Sequence, residues 1–328
     1  MNPFSTDGRS AFEQIRRLLA VTAAVVALIA ITQDASAVVI QTADAMRHER
    51  FASGTNPNPT FLIDEALIRG IGVNSRAALI TPRHYLTAAH SPSTSATFRD
   101  PTGTLRTFST VSSVDFVTTD PDGTGTSDLR MYTIDDAGPL PTDFGIDPLA
   151  VFGGETATLV GREFFVYGNG ARAGRNVIDD VQVVTFDTGA RPTENILYLF
   201  DTDTNGGSGG LGGDEAGLQG GDSGYSALID VDGTLAVIGP HFGIDVPDGT
   251  TVAQQPNYLS ATTLATRYLD QIDAVTLAQG NFLAQRVSFT AVPEPSTAIA
   301  LVGMFATWVA RRRKQSFKRQ PFKRQPFK

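Results

Sequence analysis

Ser226-Ala227-Leu228-Ile229-Asp230-Val231-Asp232-Gly233-Thr234-Leu235-Ala236-Val237-Ile238 reads as two apolar strands folded back on each other about an Asp-Gly pair. Asp-Gly accepts the two positive φ angles of a tight hairpin turn, so this stretch predicts a β-hairpin. Outward from it the same texture recurs. Ala77–Thr81, Phe164–Tyr167, Val181–Phe186 and Ile196–Phe200 are short β-branched or aromatic runs, separated by Gly, Pro, Asp and Asn clusters. Such runs predict many short strands in a sandwich or barrel. The clearest helical segment is Ala261–Ile272, near the end of the body.

Composition narrows the function classes. The apolar fraction of 41% suits a globular chain, and 32 glycines and 18 prolines suit frequent turns. Residues 311–328 carry nine of the 26 basic groups and every lysine, leaving 17 basic groups against 34 acidic ones in the rest. A body so acidic repels phosphate backbones, which argues against a nucleic-acid partner. There is no cysteine, which excludes disulfides, thiolate zinc sites and a cysteine nucleophile.

Both ends read as addresses. Arg16 and Arg17 precede an apolar run from Leu18 to about Ile31, followed by Ala35-Ser36-Ala37. That order predicts a signal peptide over 1–37, cut by signal peptidase after Ala37; a retained anchor is the other reading of the same run. At the far end Val292-Pro293-Glu294-Pro295-Ser296 leads into an apolar segment, Thr297 to Ala310, and then Arg311-Arg312-Arg313-Lys314. The segment is short for a bilayer, and the basic cluster belongs on the cytoplasmic side. Pro-Glu-Pro, apolar helix and Arg cluster over 292–314 together resemble the PEP-CTERM sorting signal of Gram-negative bacteria. The resemblance implies transient membrane anchoring, processing by an exosortase-type enzyme, and a final place at the cell surface or outside the cell. Residues 315–328 form a basic low-complexity tail, and 281–291 read as a linker.

Three motifs in the body carry chemistry. They are Leu86-Thr87-Ala88-Ala89-His90, Ser127-Asp128-Leu129 at the head of an alternating strand, and Gly220-Gly221-Asp222-Ser223-Gly224. A serine hydroxyl becomes a nucleophile when an imidazole takes its proton, and the imidazole needs a carboxylate to fix its tautomer. Glycines beside the serine allow a sharp turn that aims N–H groups at a developing oxyanion, with Gly221 and Ser223 the natural donors. Asp115, Asp120 and Asp122 compete with Asp128, which is preferred for its place on the strand.

Thr-Ala-Ala-His and Gly-Asp-Ser-Gly, with Asp-Leu between them, resemble the trypsin/chymotrypsin family across about residues 60–270. The chain order His, Asp, Ser is that family's order. The resemblance implies two six-stranded antiparallel β-barrels, here about 38–150 and 151–280, with the site in the cleft between them. It implies a serine endopeptidase with His90, Asp128 and Ser223 as triad, a polypeptide substrate and no cofactor. It also implies Gly217 at the base of the primary specificity pocket and His241-Phe242-Gly243 on the strand that binds extended substrate. Gly217 offers no acid for a basic side chain, although Asp214 and Glu215 lie close by; the expectation is a preference for small or apolar side chains. Two departures stand out: Tyr225-Ser226 follows where Gly-Pro is usual, and Ser91 stands where cysteine normally follows the histidine.

Many members mature when cleavage frees an Ile or Val amine that pairs with the Asp before the serine, here Asp222. No Ile-Val-Gly-Gly occurs, but cleavage after Ala37 leaves Val38-Val39-Ile40 at a new N-terminus. Signal processing is therefore expected to supply the amine, the alternative being an internal donor to Asp222. Asp201, Asp203 and Asn205 have alternating oxygen ligands but lack the Gly and distal Glu of a calcium loop, so no metal is assigned. The competing functional class is an inactive trypsin-fold surface or matrix module.

Overall fold

The computed structural model describes residues 38–120, 123–184, 193–201, 210–245 and 258–290. The expected signal peptide, sorting signal and basic tail, and Asp122, Asp203 and Asn205, lie outside the described residues. The chain divides into two compact units, residues 1–288 and 289–328, and the first holds the body described here. Among the described residues no helix is long and apolar enough to cross a membrane.

Five strands build the first sheet: β1 (Ala78–Thr81), β2 (His84–Ala88), β3 (Ser95–Arg99), β4 (Leu105–Asp120) and β5 (Gly123–Ile134). Their order is β1-β2-β5-β4-β3, and every pair is antiparallel. Side chains along a strand alternate faces, and here they serve two cores. Leu79, Tyr85, Phe98, Phe108, Tyr132 and Ile134 fill one core. Ala78, Ile80, Leu86, Leu129 and Met131, the alternate residues of the same strands, join the other. Because β1 and β2 are buried on both faces, they read as continuous rather than alternating runs.

The second sheet has nine strands: β6 (Ala150–Phe152), β7 (Glu163–Gly168), β8 (Arg172–Val177), β9 (Asp180–Val184), β10 (Thr193–Leu199), β11 (Ser226–Val231), β12 (Thr234–Asp245), β13 (Leu259–Thr263) and β14 (Arg286–Val287). The main path runs β8-β7-β11-β12-β13-β10-β9, and β6 pairs with β12 and β14. The opening hairpin is present as expected. Val231 pairs with Thr234, and Asp232 and Gly233 take φ of 52° and 87°, the signature of a type I′ turn. The shared core joins the two sheets through Leu149, Val151, Tyr167, Leu228 and Val237, and continues into Tyr268, Leu269 and Ile272.

The all-β class with one short C-terminal helix matches the sequence expectation, and among the described residues the two main sheets hold five and nine strands. The helix itself is displaced. Leu259–Thr263 is strand β13, paired with β10 and β12, and after a 3-10 turn over Ala265–Tyr268 the helix α2 spans Leu269–Ala278. The segment expected as helix from Ala261 opens with two threonines, whose stiff β-branched side chains suit a buried strand better than a helix. Arg286–Val287 pairs with β6, so the body continues into the stretch read as a linker.

Before β1, Val39–Ile40 forms a short ladder with Ala216–Gly217. Helix α1 (Ala45–His48) follows, capped by the Asp44 carboxylate on the Met46 N–H. This segment is bound to the loop that precedes Ser223. Asp214 accepts from Arg47 Nε and Nη2 at 2.6 Å each, and from Arg175 Nη2 at 2.7 Å. His48 Nε2 lies 3.1 Å from the same carboxylate, and its Nδ1 accepts from the Asp44 N–H. These donors hold the Asp214 carboxyl well below the usual carboxylate range, with Arg47 the largest cause.

Candidate active site

His90 stands just past the end of β2, and ladder pairing fixes what it meets. Ala88 pairs with Leu129, and the Ala89 N–H donates to the Asp128 carbonyl at 2.7 Å. Asp128 therefore sits beside His90. Its Oδ1 accepts the His90 backbone N–H at 3.0 Å, and Oδ1 and Oδ2 lie 2.9 and 2.7 Å from His90 Nδ1. The carboxylate is 1% exposed while the imidazole is 24% exposed. An ionised carboxylate only accepts, so Nδ1 carries the hydrogen and neutral His90 keeps Nε2 as a proton acceptor. Asp115, the competing acid with a described side chain, is bound instead to Arg130.

Ser223 lies on a tight turn whose backbone is tied down on both sides. Gly221 takes φ of 108°, a region closed to most side chains. The Asp222 N–H donates to Gln219 O, Gly224 N–H to His241 O, and Tyr225 N–H to Asp222 O, at 3.1, 3.0 and 3.0 Å. The Thr87 hydroxyl reaches Gly224 O at 3.5 Å, linking this turn to the strand that carries His90. Among the described residues no hydrogen bond joins His90 to Ser223. In free enzymes such bonds are commonly long, tightening when substrate binds.

Asp222 is wholly buried. Its carboxylate accepts three backbone N–H groups: Val38 at 2.8 Å, Gln219 at 2.9 Å and Asn169 at 3.0 Å. Burial pushes its pKa up, against the pull of those hydrogen bonds. Val38 is 1% exposed, and any side chain on Gly168 would strike both Val38 and Asp222. Val38 also takes φ of 49°, a costly conformation for a β-branched residue. In the unbroken chain Asp222 is thus supplied by internal donors, the backbone nitrogen of Val38 among them.

The expected substrate-binding residues divide. Gly217 is buried, and its Cα abuts Tyr258 and Phe200 so closely that no side chain fits. The His241 imidazole, by contrast, is buried in the core, with Nδ1 2.8 Å from Thr262 Oγ1 and Nε2 3.0 Å from the Tyr167 carbonyl. Burial lowers its pKa to about 3, so the imidazole stays neutral and ties the core together. Phe242 falls where the β12–β13 register shifts between His241 and Gly243. That bulge turns its ring toward the His90 imidazole, 6.2 Å away and edge-on. Asp214 is committed to its arginines. Glu215 is buried, its pKa pushed up to about 7 by burial, and it accepts from the Leu211 N–H. Among the described residues no group of three or more histidines or acids is placed to hold a metal ion.

Two residues near the turn carry no motif signal. The Tyr225 hydroxyl donates to Asn169 Oδ1 at 3.0 Å, and both lie against Asp222. Only the fold brings Asn169, more than fifty positions upstream, to this turn.

Comparison with known proteins bears on the ends and on the fold separately. Residues 291–314 match the PEP-CTERM protein-sorting motif. No curated protein matches the chain. Among solved structures, the NS6 protease from murine norovirus 1 is similar at 14% identity over 63% of this chain and 97% of its own, with a TM-score of 0.38. An inactive mutant of the murine norovirus NS6 protease with a C-terminal extension is similar at 15% identity over 60% and 98%, with a TM-score of 0.36. Superposition this loose carries no argument about the site, so the fold assignment rests on the strand pairing. The sorting motif marks the chain as exported and sorted to the surface, with processing by an exosortase-type enzyme.

Proposed function

We propose that this protein is an exported serine endopeptidase that cleaves peptide bonds through an acyl-enzyme. The observation that carries the reading is the buried Asp128 carboxylate gripping both the backbone and the Nδ1 of His90, on a strand tied to the Ser223 turn. In the first half-reaction Ser223 Oγ attacks the substrate carbonyl carbon while His90 Nε2 takes the hydroxyl proton. The oxyanion lies against the N–H groups of Gly221 and Ser223. As the C–N bond breaks, His90 returns the proton to the leaving amine. Water then repeats the sequence on the ester, restoring Ser223 and releasing the acid.

The reading includes maturation. Cleavage after Ala37 turns the Val38 nitrogen into a buried ammonium beside Asp222, a buried carboxylate that accepts three backbone N–H groups in the uncut chain. It also removes the Ala37–Val38 peptide and with it the unfavourable φ of Val38. The sorting signal gives transient inner-membrane anchoring before release to the surface.

The second reading, an inactive binding module, is favoured by the missing His90–Ser223 hydrogen bond. Fluorophosphonate labelling of the exported, processed protein decides between them. Labelling that disappears in both Ser223→Ala and His90→Ala supports the peptidase. An unlabelled protein of native stability with a free Val38 amine supports the module.

A further inference from the structure

We propose that Asn169, locked by the hydroxyl of Tyr225, is a positioning residue for the turn that carries Ser223. The proposal rests on the reading of Ser223 as nucleophile. Asn169 follows the last residue of β7 and touches the turn through both main chain and side chain. Its backbone N–H donates to Asp222 Oδ1 at 3.0 Å. Its Oδ1 accepts from the Tyr225 hydroxyl at 3.0 Å and from the Gly170 N–H at 2.9 Å. The Gly170 N–H can only donate, which settles that the oxygen faces it and the Tyr225 hydroxyl and leaves Nδ2 as the other end of the amide. That nitrogen lies 3.9 Å from where a side chain on Gly221 would begin.

Tyr225 closes the arrangement from the other side. It is the second residue after Ser223, at the position where the sequence departs from the family pattern. Its ring is 4% exposed and packs on Tyr167 with centroids 6.4 Å apart. Its N–H donates to the Asp222 carbonyl. Residues 222 and 225 are therefore both held to one asparagine, with Ser223 between them. N–H groups serve an oxyanion only when the peptides carrying them are already aimed, since reorienting them during reaction forfeits the gain. With Gly221 in a conformation that glycine leaves easily, an external clamp is what keeps the turn aimed. The Tyr225 hydroxyl fixes the rotamer of that clamp, and the Tyr167 ring fixes Tyr225.

The test uses the full exported protein with Tyr225→Phe, Asn169→Ala and both together. Tyr225→Phe keeps the ring and its packing and removes only the hydroxyl. One lost hydrogen bond that acts on transition-state alignment predicts a fall in kcat of about tenfold with KM within about twofold. The double variant is expected to be no worse than Asn169→Ala alone, because the two side chains act as one unit. Amide hydrogen exchange gives a readout free of catalysis: the Asp222, Gly224 and Tyr225 amides are expected to exchange about tenfold faster in Tyr225→Phe, with β11 unchanged. Unaltered kcat together with unaltered exchange overturns the proposal, and so do effects that add in the double variant. A wild-type protein that neither labels nor cleaves sinks the peptidase reading instead, and the lock is then judged on exchange alone.

Discussion

Retaining a single residue ahead of Val38 is expected to disable the mature protein. The comparison is a chain that begins at Val38 against one that begins at Ala37. The Val38 nitrogen lies 2.8 Å from Asp222 Oδ2, and both residues are 1% exposed or less. Leaving a buried charge without its partner costs about 3–5 kcal/mol. The amide N–H of an uncut chain recovers about 1 kcal/mol of this as an ordinary hydrogen bond. The difference, about 2–4 kcal/mol, predicts a drop in kcat/KM of roughly 30- to 900-fold. Retained strain at Val38, φ 49°, adds to it. The pH dependence has a worked sign. In the uncut chain burial raises the Asp222 pKa, so the penalty for its ionised form is absent at low pH and grows as pH rises through that value. In the cut chain the α-amine has an ordinary pKa of about 8, so the ion pair is present near neutrality and lost as the amine deprotonates at high pH. The gap between the two chains is therefore widest near neutrality and narrows on acidification. Initial-rate kinetics on both chains across this range, with N-terminal sequencing of each sample, measure it. Equal kcat/KM at every pH would refute the reasoning.

Other expectations follow from the same geometry. Asp128→Asn leaves the shape of the site intact but reverses the hydrogen-bond demand on His90 Nδ1, so kcat should fall about 10⁴-fold with little change in KM, measured by steady-state kinetics. Asp214→Asn removes the negative charge and one of the two acceptor oxygens shared by Arg47, Arg175 and His48 and should cost about 3 kcal/mol at neutral pH by calorimetry. Because the Asp214 carboxyl is held below its usual range, its stabilisation is present above the unfolded value of about 4 and lost as pH falls further, and the variant should lose that part of the acid sensitivity. Gly168→Ala should displace Val38 from Asp222, lowering activity as an N-terminal extension does while the far-ultraviolet dichroism stays native.

Much of the molecule is written locally. The Asp232-Gly233 hairpin, the strand character of Phe164–Tyr167 and the turn around Gly221-Asp222-Ser223 follow from short-range patterning, because turn chemistry and side-chain alternation are properties of neighbouring residues. His90 and Asp128 are legible for a different reason, as parts of motifs whose chemistry requires those groups. Their contact needs the β2–β5 register, which puts Leu129 opposite Ala88. The helix start escapes local reading because Leu259–Thr263 is buried as a strand between β10 and β12, and neighbours far along the chain decide that burial. The role of His241 escapes it for the same reason: its side chain meets Thr262 and Tyr167, which no spacing announces. Val38 lies 184 positions from Asp222, and Asn169 reaches Tyr225 across 56. The order of residues alone settles which groups are present and which local conformations they favour. Which of them share a hydrogen bond is settled only in the assembled fold, because a buried polar group takes as partner whatever the packing of distant strands brings within about 3 Å.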